Sequence, residues 1–152
     1  MLIRKMEITD CEAVYRLFAE CFSKPWSFAA IKDMFAKSDY YNLVAVDDKI
    51  CPDSRDRILG YSGIIKVLDE ADIVNVAVSP ASRKQGIATR LMESLLKDSE
   101  KMGIHSIYLE VREHNKAAIR LYERSGFKET GMRKNYYTDP SEHAILMAWQ
   151  SK

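Results

Sequence analysis

The sequence lacks most of what would tie it to a nucleic acid, a disulfide framework, a metal or a membrane. Its 23 lysines and arginines nearly cancel 22 aspartates and glutamates. The resulting net charge of +1 gives no broad basic footprint of the kind nucleic-acid binders carry, so any anion site must be local and no direct nucleic-acid partner is expected. There are three cysteines, Cys11, Cys21 and Cys51. That odd number, without paired spacing, suits neither a zinc site nor a set of disulfides and points to a reducing, cytoplasmic compartment without a metal. Long apolar runs are missing too. The amino-terminal stretch MLIRKMEITDCEAVYRLF breaks every short apolar run with charge, so neither a signal peptide nor a membrane span fits. Repeats, low-complexity tracts and linkers are absent. His105, His114 and His143 have no triad partner close in sequence and read as surface or structural groups.

What remains suits one globular unit. A chain of 152 residues, 47% hydrophobic and 30% charged, can bury a real core and is read as a single domain over residues 1–152. Residues 2–6 predict an edge strand. Thr9 and Glu12 make a capping box before Val14, Leu17, Phe18, Cys21 and Phe22, an amphipathic helix on which Cys11 and Cys21 are packing residues. Pro25 breaks it, and Ser27 caps a second helix carrying Phe28, Ile31, Met34 and Phe35. YYNLVAVDD and RILGYSGIIKVL predict two strands joined by a long loop around Pro52, in which Cys51 is the one cysteine with a case for exposure. ADIVNVAVSP predicts a third, completing an antiparallel meander.

The stretch SPASRKQGIATRLMESLLKDSEKMG predicts a helix with Ala88, Leu91, Met92, Leu95 and Leu96 inward and Gly103 at its end. HSIYLEVRE alternates Ile107, Leu109 and Val111 with Tyr108 and Glu110, a strand. Strand, helix, strand implies a parallel crossover. Asn115 caps a short helix carrying Ala118, Ile119 and Tyr122, ended by Gly126. FKETGM and HAILMAWQ form a closing hairpin across RKNYYTDPSE. These elements make one α/β domain with a mixed sheet and helices on both sides.

The junction around Gly86 is the first candidate site. The leading N–H groups of a helix have no partner within it and carry partial positive charge, so anions bind there. Gly86 removes a Cβ that would hold a phosphate away from the backbone, while Arg83 and Lys84 add charge. The stretch is neither a Walker loop nor a G-x-G-x-x-G fingerprint, and a plain basic loop entering a helix is the alternative.

Context favours the ligand. R-x-x-G-x-A from Arg83 to Ala88 follows VNVAVSP, and N-x-x-A-x-x-L-Y-x-x-x-G-F from Asn115 to Phe127 follows one helix later. In this order and spacing the two motifs resemble the GNAT superfamily of acetyl-coenzyme A-dependent N-acetyltransferases. KPWSFAAI, LEVREHNKAAIRLYERSGF and RKNYYTDPSEHAILMA look most like its ribosomal-protein-alanine acetyltransferases and related Nα-acetyltransferases. The resemblance covers nearly the whole chain. His143, where an acidic residue is usual, and the longer loop around Pro52 depart from the pattern.

The resemblance implies a central twisted mixed sheet of about seven strands with about four helices. It implies acetyl-coenzyme A as cosubstrate, without a metal. Val76, Ala77 and Val78 would hold the pantetheine and thioester carbonyl. Arg83, Lys84, Gln85, Gly86, Ile87, Ala88 and Thr89 would hold the pyrophosphate, with Asn115 and Tyr122 as further contacts. Amide formation needs a neutral amine, a stabilised oxyanion and a proton for the leaving thiolate. By that likeness Glu110 is the base and Tyr122 the acid, against the plain alternatives of an exposed strand glutamate and an aromatic packed on a helix.

Trp26, Tyr136 and Tyr137 would line an acceptor groove, or staple the helical hairpin to the sheet. An α-amine titrates near 7.7–8.0 and a lysine near 10.4, so neutralising a lysine at pH 7 costs about 3.5 kcal/mol more. An enzyme with one modest base therefore favours protein or peptide N-termini, a ribosomal protein among them, and would work as a monomer or weak homodimer. The competing readings are a small-amine or lysine acetyltransferase and a non-catalytic acyl-coenzyme A-binding module.

Overall fold

The structure, a computed structural model, describes residues 1–49 and 58–152; the expected loop with Cys51 and Pro52 lies outside the described residues. The elements, in chain order, are β1 (Leu2–Lys5), α1 (Cys11–Cys21), α2 (Phe28–Ala36), β2 (Tyr40–Val46), β3 (Ile58–Val67), β4 (Glu70–Val78), α3 (Ile87–Lys101), β5 (Ser106–Arg112), α4 (Lys116–Arg124), β6 (Lys128–Tyr137) and β7 (Glu142–Gln150). They build a seven-stranded sheet in the order β1-β2-β3-β4-β5-β7-β6. The β4–β5 pair, connected through α3, is parallel, and the others are antiparallel.

Strand alternation divides the core between the two faces of this sheet. Val44 and Val46 pack with Tyr61, Phe18, Ile31 and Met34 beneath α1 and α2. Leu43, Ala45, Ile107, Leu109 and Val111 pack with Leu91, Met92 and Leu95 of α3 and with Tyr122 and Phe127 on the other face. Ile87 and Ser99 join the inward face of α3, whereas Ala88 is only half-buried. Gly60 allows this close approach: a Cβ there would stand 2.9 Å from both the Ala77 carbonyl oxygen and Leu91 Cδ1.

Two local expectations are corrected. The turn into α1 starts earlier than a Thr9–Glu12 box would put it. The Glu7 N–H donates to Asp10 Oδ2 at 2.7 Å, and Arg4 clasps the same carboxylate at 2.7 and 3.1 Å. A buried acid needs partners, and these pin Asp10 at the helix entrance. The closing hairpin also differs, because β6 runs on through RKNYY to Tyr137. Its register shifts between Arg133 and Tyr137, and such a bulge erases the alternation that marks a strand in sequence. Ser27 caps α2 as expected, its Oγ accepting from the Ala30 N–H at 3.1 Å.

Candidate active site

The parallel pair β4–β5 is joined over only three residue pairs, Glu70–Ser106, Ala71–Ile107 and Asp72–Tyr108. Beyond them the strands part. Val74 lies at the register shift, unopposed between the pairs Gly63–Asn75 and Ile64–Ile73 on β3, and such a bulge bends its strand. The Ser79 N–H donates to the Leu59 carbonyl at 2.8 Å. By the alternation of an antiparallel ladder, the N–H and C=O groups of Val76 and Val78 then point away from β3, into the gap. The Val78 carbonyl accepts from the Cys21 thiol at 3.3 Å and from Arg83 Nε at 3.2 Å. The Val76 and Val78 N–H groups are left for an extended, amide-bearing ligand, which is what a pantetheine arm is.

Two adjoining cavities continue the gap. One, of about 420 Å³, is lined by Val76, Ala77, Val78, Asn115, Ala118 and Tyr122 among others. The second, of about 360 Å³, lies at the mouth of α3 against Lys84, Gly86, Ile87, Ala88 and Thr89. Arg83 and Val78 border both. Gly86 has φ +78° and an added Cβ would meet nothing within 4 Å, so the left-handed backbone requires glycine here and the space above it is open. Lys84 is left-handed as well, at φ 65°. Left-handed residues two apart before a helix are the kind of loop that turns successive N–H groups toward an anion. Ile87 buries its side chain in the core and Gln85 is exposed. The residues present fit a pyrophosphate and pantetheine.

Asn115 Oδ1 accepts from the Ala118 N–H at 3.2 Å, so its capping role is real, and the same residue borders the larger cavity. Tyr122, 9% exposed, projects from α4 with its ring 5.7 Å from Phe127. Burial pushes its phenol up to about 12. Cys11 and Cys21 are free thiols, both pushed up by burial, in keeping with packing rather than nucleophilic roles.

Glu110 stands on the face of β5 opposite Ile107, Leu109 and Val111, exposed between buried neighbours. Tyr137 lies close enough to feel both catalytic candidates. Burial and then the Glu110 charge push its phenol up, and it in turn adds to the upward shift of Tyr122. The Tyr136 ring meets it edge-on at 5.1 Å. Trp26 is half-buried, its ring meeting Phe18 of α1 edge-on with centroids 6.2 Å apart. The segment before α2 reaches the β6–β7 turn through Lys24 and Asp139, 3.3 Å apart.

Sequence reasoning missed a second layer. The Arg112 guanidinium sits 4.3 Å from the centre of the Tyr137 ring and donates to Glu142 Oε1 and the Pro140 carbonyl, each at 3.2 Å. Glu142 Oε2 accepts from the His114 N–H at 2.7 Å and lies 3.0 Å from His114 Nδ1. The His114 N–H, followed by Arg112, holds the Glu142 carboxyl below its usual range. The alternation of β5 already placed Arg112 on the face of Glu110, whereas nothing in the sequence paired it with Glu142 beyond the bulge. His143 Nδ1 accepts from the Asn135 N–H at 2.9 Å and His105 Nδ1 lies 3.4 Å from Ser151 Oγ, both structural contacts. Among the described residues no group of three or more His, Cys, Asp or Glu is placed to hold a metal, and no helix is long and apolar enough to cross a membrane.

Comparison with known proteins turns this geometry into a class. The Acetyltransferase (GNAT) family model matches residues 11–127, and the chain belongs to that family of N-acetyltransferases. It is 36% identical over 151 residues to the [ribosomal protein bS18]-alanine N-acetyltransferase of Escherichia coli K12, covering 96% of this chain and 95% of that protein. The Haemophilus influenzae enzyme of the same name is 34% identical over 150 residues, covering 97% of each. The crystal structure of the ribosomal-protein-S18-alanine N-acetyltransferase from Escherichia coli superposes with a TM-score of 0.86 at 35% identity, over 98% of this chain and 92% of that one.

Proposed function

We propose that the chain transfers the acetyl group of acetyl-coenzyme A to the free α-amino group of a protein N-terminus, with the N-terminal alanine of a ribosomal protein as acceptor, in the cytoplasm. The observation that carries this reading is the gap beside Val76 and Val78, which opens on one cavity bordered by Asn115 and Tyr122 and on a second bordered by Lys84 and Gly86. The names of the relatives support the acceptor.

The cosubstrate supplies an activated acyl carbon, and the residues of this chain do the rest. Val76 and Val78 bind the pantetheine through backbone N–H groups, extending β4. Arg83, Lys84 and the backbone from Gln85 to Thr89 hold the pyrophosphate, Gly86 giving it room, and Asn115 contributes beside its capping bond. Tyr136 and Tyr137 orient the acceptor, with Trp26 supporting the wall behind them. Glu110 removes the proton of the α-ammonium, directly or through water, so that the neutral amine attacks the thioester carbon. As the C–N bond forms and the C–S bond breaks, the Tyr122 hydroxyl donates to the departing sulfur, and the second proton shed by the new amide nitrogen returns to the Tyr122 oxygen through water. At a pKa of about 12 that hydroxyl carries its proton throughout the physiological range.

Mass spectrometry of small ribosomal subunit proteins incubated with acetyl-coenzyme A and the chain tests the acceptor. The expected product is bS18 with one acetyl group on its N-terminal alanine. Acetylation confined to lysine side chains, or none at all, would refute the proposal.

A further inference from the structure

Arg112 and Glu110 are two apart on β5, so their side chains leave the same face of the sheet. Arg112 is thus the cation best placed to neutralise the proposed base. It is engaged elsewhere: its Nη1 bonds Glu142 Oε1 and the Pro140 carbonyl, each at 3.2 Å, and its guanidinium lies 4.3 Å over Tyr137. Glu142 is fixed in turn by the His114 N–H at 2.7 Å, and its side chain is only 10% exposed. Among the described residues Glu110 has no hydrogen bond and no ion pair. We infer that Glu142 is a positioning residue of the acyl-transfer site: it holds Arg112 against Tyr137 and away from Glu110, leaving that carboxylate unpaired for the acceptor ammonium.

This rests on the reading of Glu110 as base. An opposite charge a few ångströms away favours the ionised carboxylate and weakens it as a proton acceptor. If Glu142 lets go, Arg112 can swing two positions along its own strand to Glu110. The other groups facing Glu110 are Tyr108 on β5, Asp72 on β4 opposite Tyr108, and Tyr137 on β6. Two cations of β6, Lys128 and Arg133, share this face by register but stand two strands away across β7, and Arg133 lies 5.5 Å from the Tyr136 ring centre. Arg112, on the base's own strand, is the nearest cation, and its placement decides the charge at the base.

The test is a double-mutant cycle on the full chain. Glu142→Ala is expected to lower kcat for an α-amine peptide about tenfold, and adding Arg112→Gln to it is expected to recover most of that loss. A residue with only a structural role gives the opposite, a double mutant as slow as or slower than the single one. Glu142→Gln, which retains an acceptor for the His114 N–H, serves where the alanine variant folds poorly. Carboxyl NMR titration of Glu110 reads the same event without turnover: its pKa should fall in Glu142→Ala and return in the double mutant. An unchanged Glu110 titration in Glu142→Ala would overturn the inference. Inactivity of the wild-type chain on the peptide would count against the proposed function and leave the titration to decide this point.

Discussion

Tyr122 is nearly buried, yet among the described residues nothing bonds its hydroxyl. A buried hydroxyl without a partner costs stability, so its retention is understood if a ligand uses it. Tyr122→Phe keeps the ring on Phe127 and removes only the oxygen. Turnover should fall by roughly 10²-fold or more, while thermal stability stays level or rises and coenzyme binding holds. Since burial places its pKa at about 12, the donor is present below that pH and lost above it. Initial rates should therefore show no alkaline loss from this group up to about pH 11; equal turnover in the two proteins would make Tyr122 a packing residue. Lys84 makes a complementary case. Its left-handed backbone, φ 65°, costs a non-glycine residue of order 1 kcal/mol, so Lys84→Gly should leave the melting temperature unchanged or higher. Calorimetry should nevertheless find weaker acetyl-coenzyme A binding, because a phosphate-facing charge is gone. Unaltered affinity would remove Lys84 from the cradle.

At the scale of elements, the active site is a consequence of how β4 is gripped. On one side β3 and α3 press against it through Gly60, and on the other β5 leaves it after three pairs. Gly60→Ala would bring a methyl to 2.9 Å from the Ala77 carbonyl, backbone that cannot swing aside. A loss of about 1–3 kcal/mol is expected, together with weaker coenzyme binding, because Ala77 lies between the two residues that face the gap. Ser27→Ala should cost about 1 kcal/mol through the lost cap of α2 and leave coenzyme affinity alone. Denaturant melts and isothermal titration on the two variants separate these effects, and coenzyme affinity falling equally in both would refute the special position of β4. Most of these elements were legible in the sequence because their signals are local: the alternation of β5, the apolar stripe of α3, and the caps Ser27 and Asn115. The β4–β5 separation was not, since it follows from a bulge at Val74 and from non-local pairing. The extension of β6 was hidden in the same way, and with it the pairing of Arg112 with Glu142. Trp26 was legible as an aromatic near the site, but its edge-on contact with Phe18 is a tertiary one that no local pattern announces.

For the molecule as a whole, the near balance of charge means that acceptor choice has to come from the site rather than from a long-range field. Among the described residues the proposed site offers an unpaired carboxylate, Glu110, a buried phenol and a tyrosine pair, a set suited to an amine that loses its proton readily. Neutralising a lysine instead of an α-amine at pH 7 costs about 3.5 kcal/mol more, which is several hundredfold in rate before any groove contact is counted. The direct measurement is a competition at pH 7 between two versions of one short peptide, the first with a free N-terminal alanine and no lysine, the second with a blocked terminus and an internal lysine, each followed by thiol release from acetyl-coenzyme A and by mass spectrometry. Acetylation of the first with the second nearly inert is the predicted result; equal rates on the two, or a preference for the lysine peptide, would contradict the assignment of the chain as an Nα-acetyltransferase.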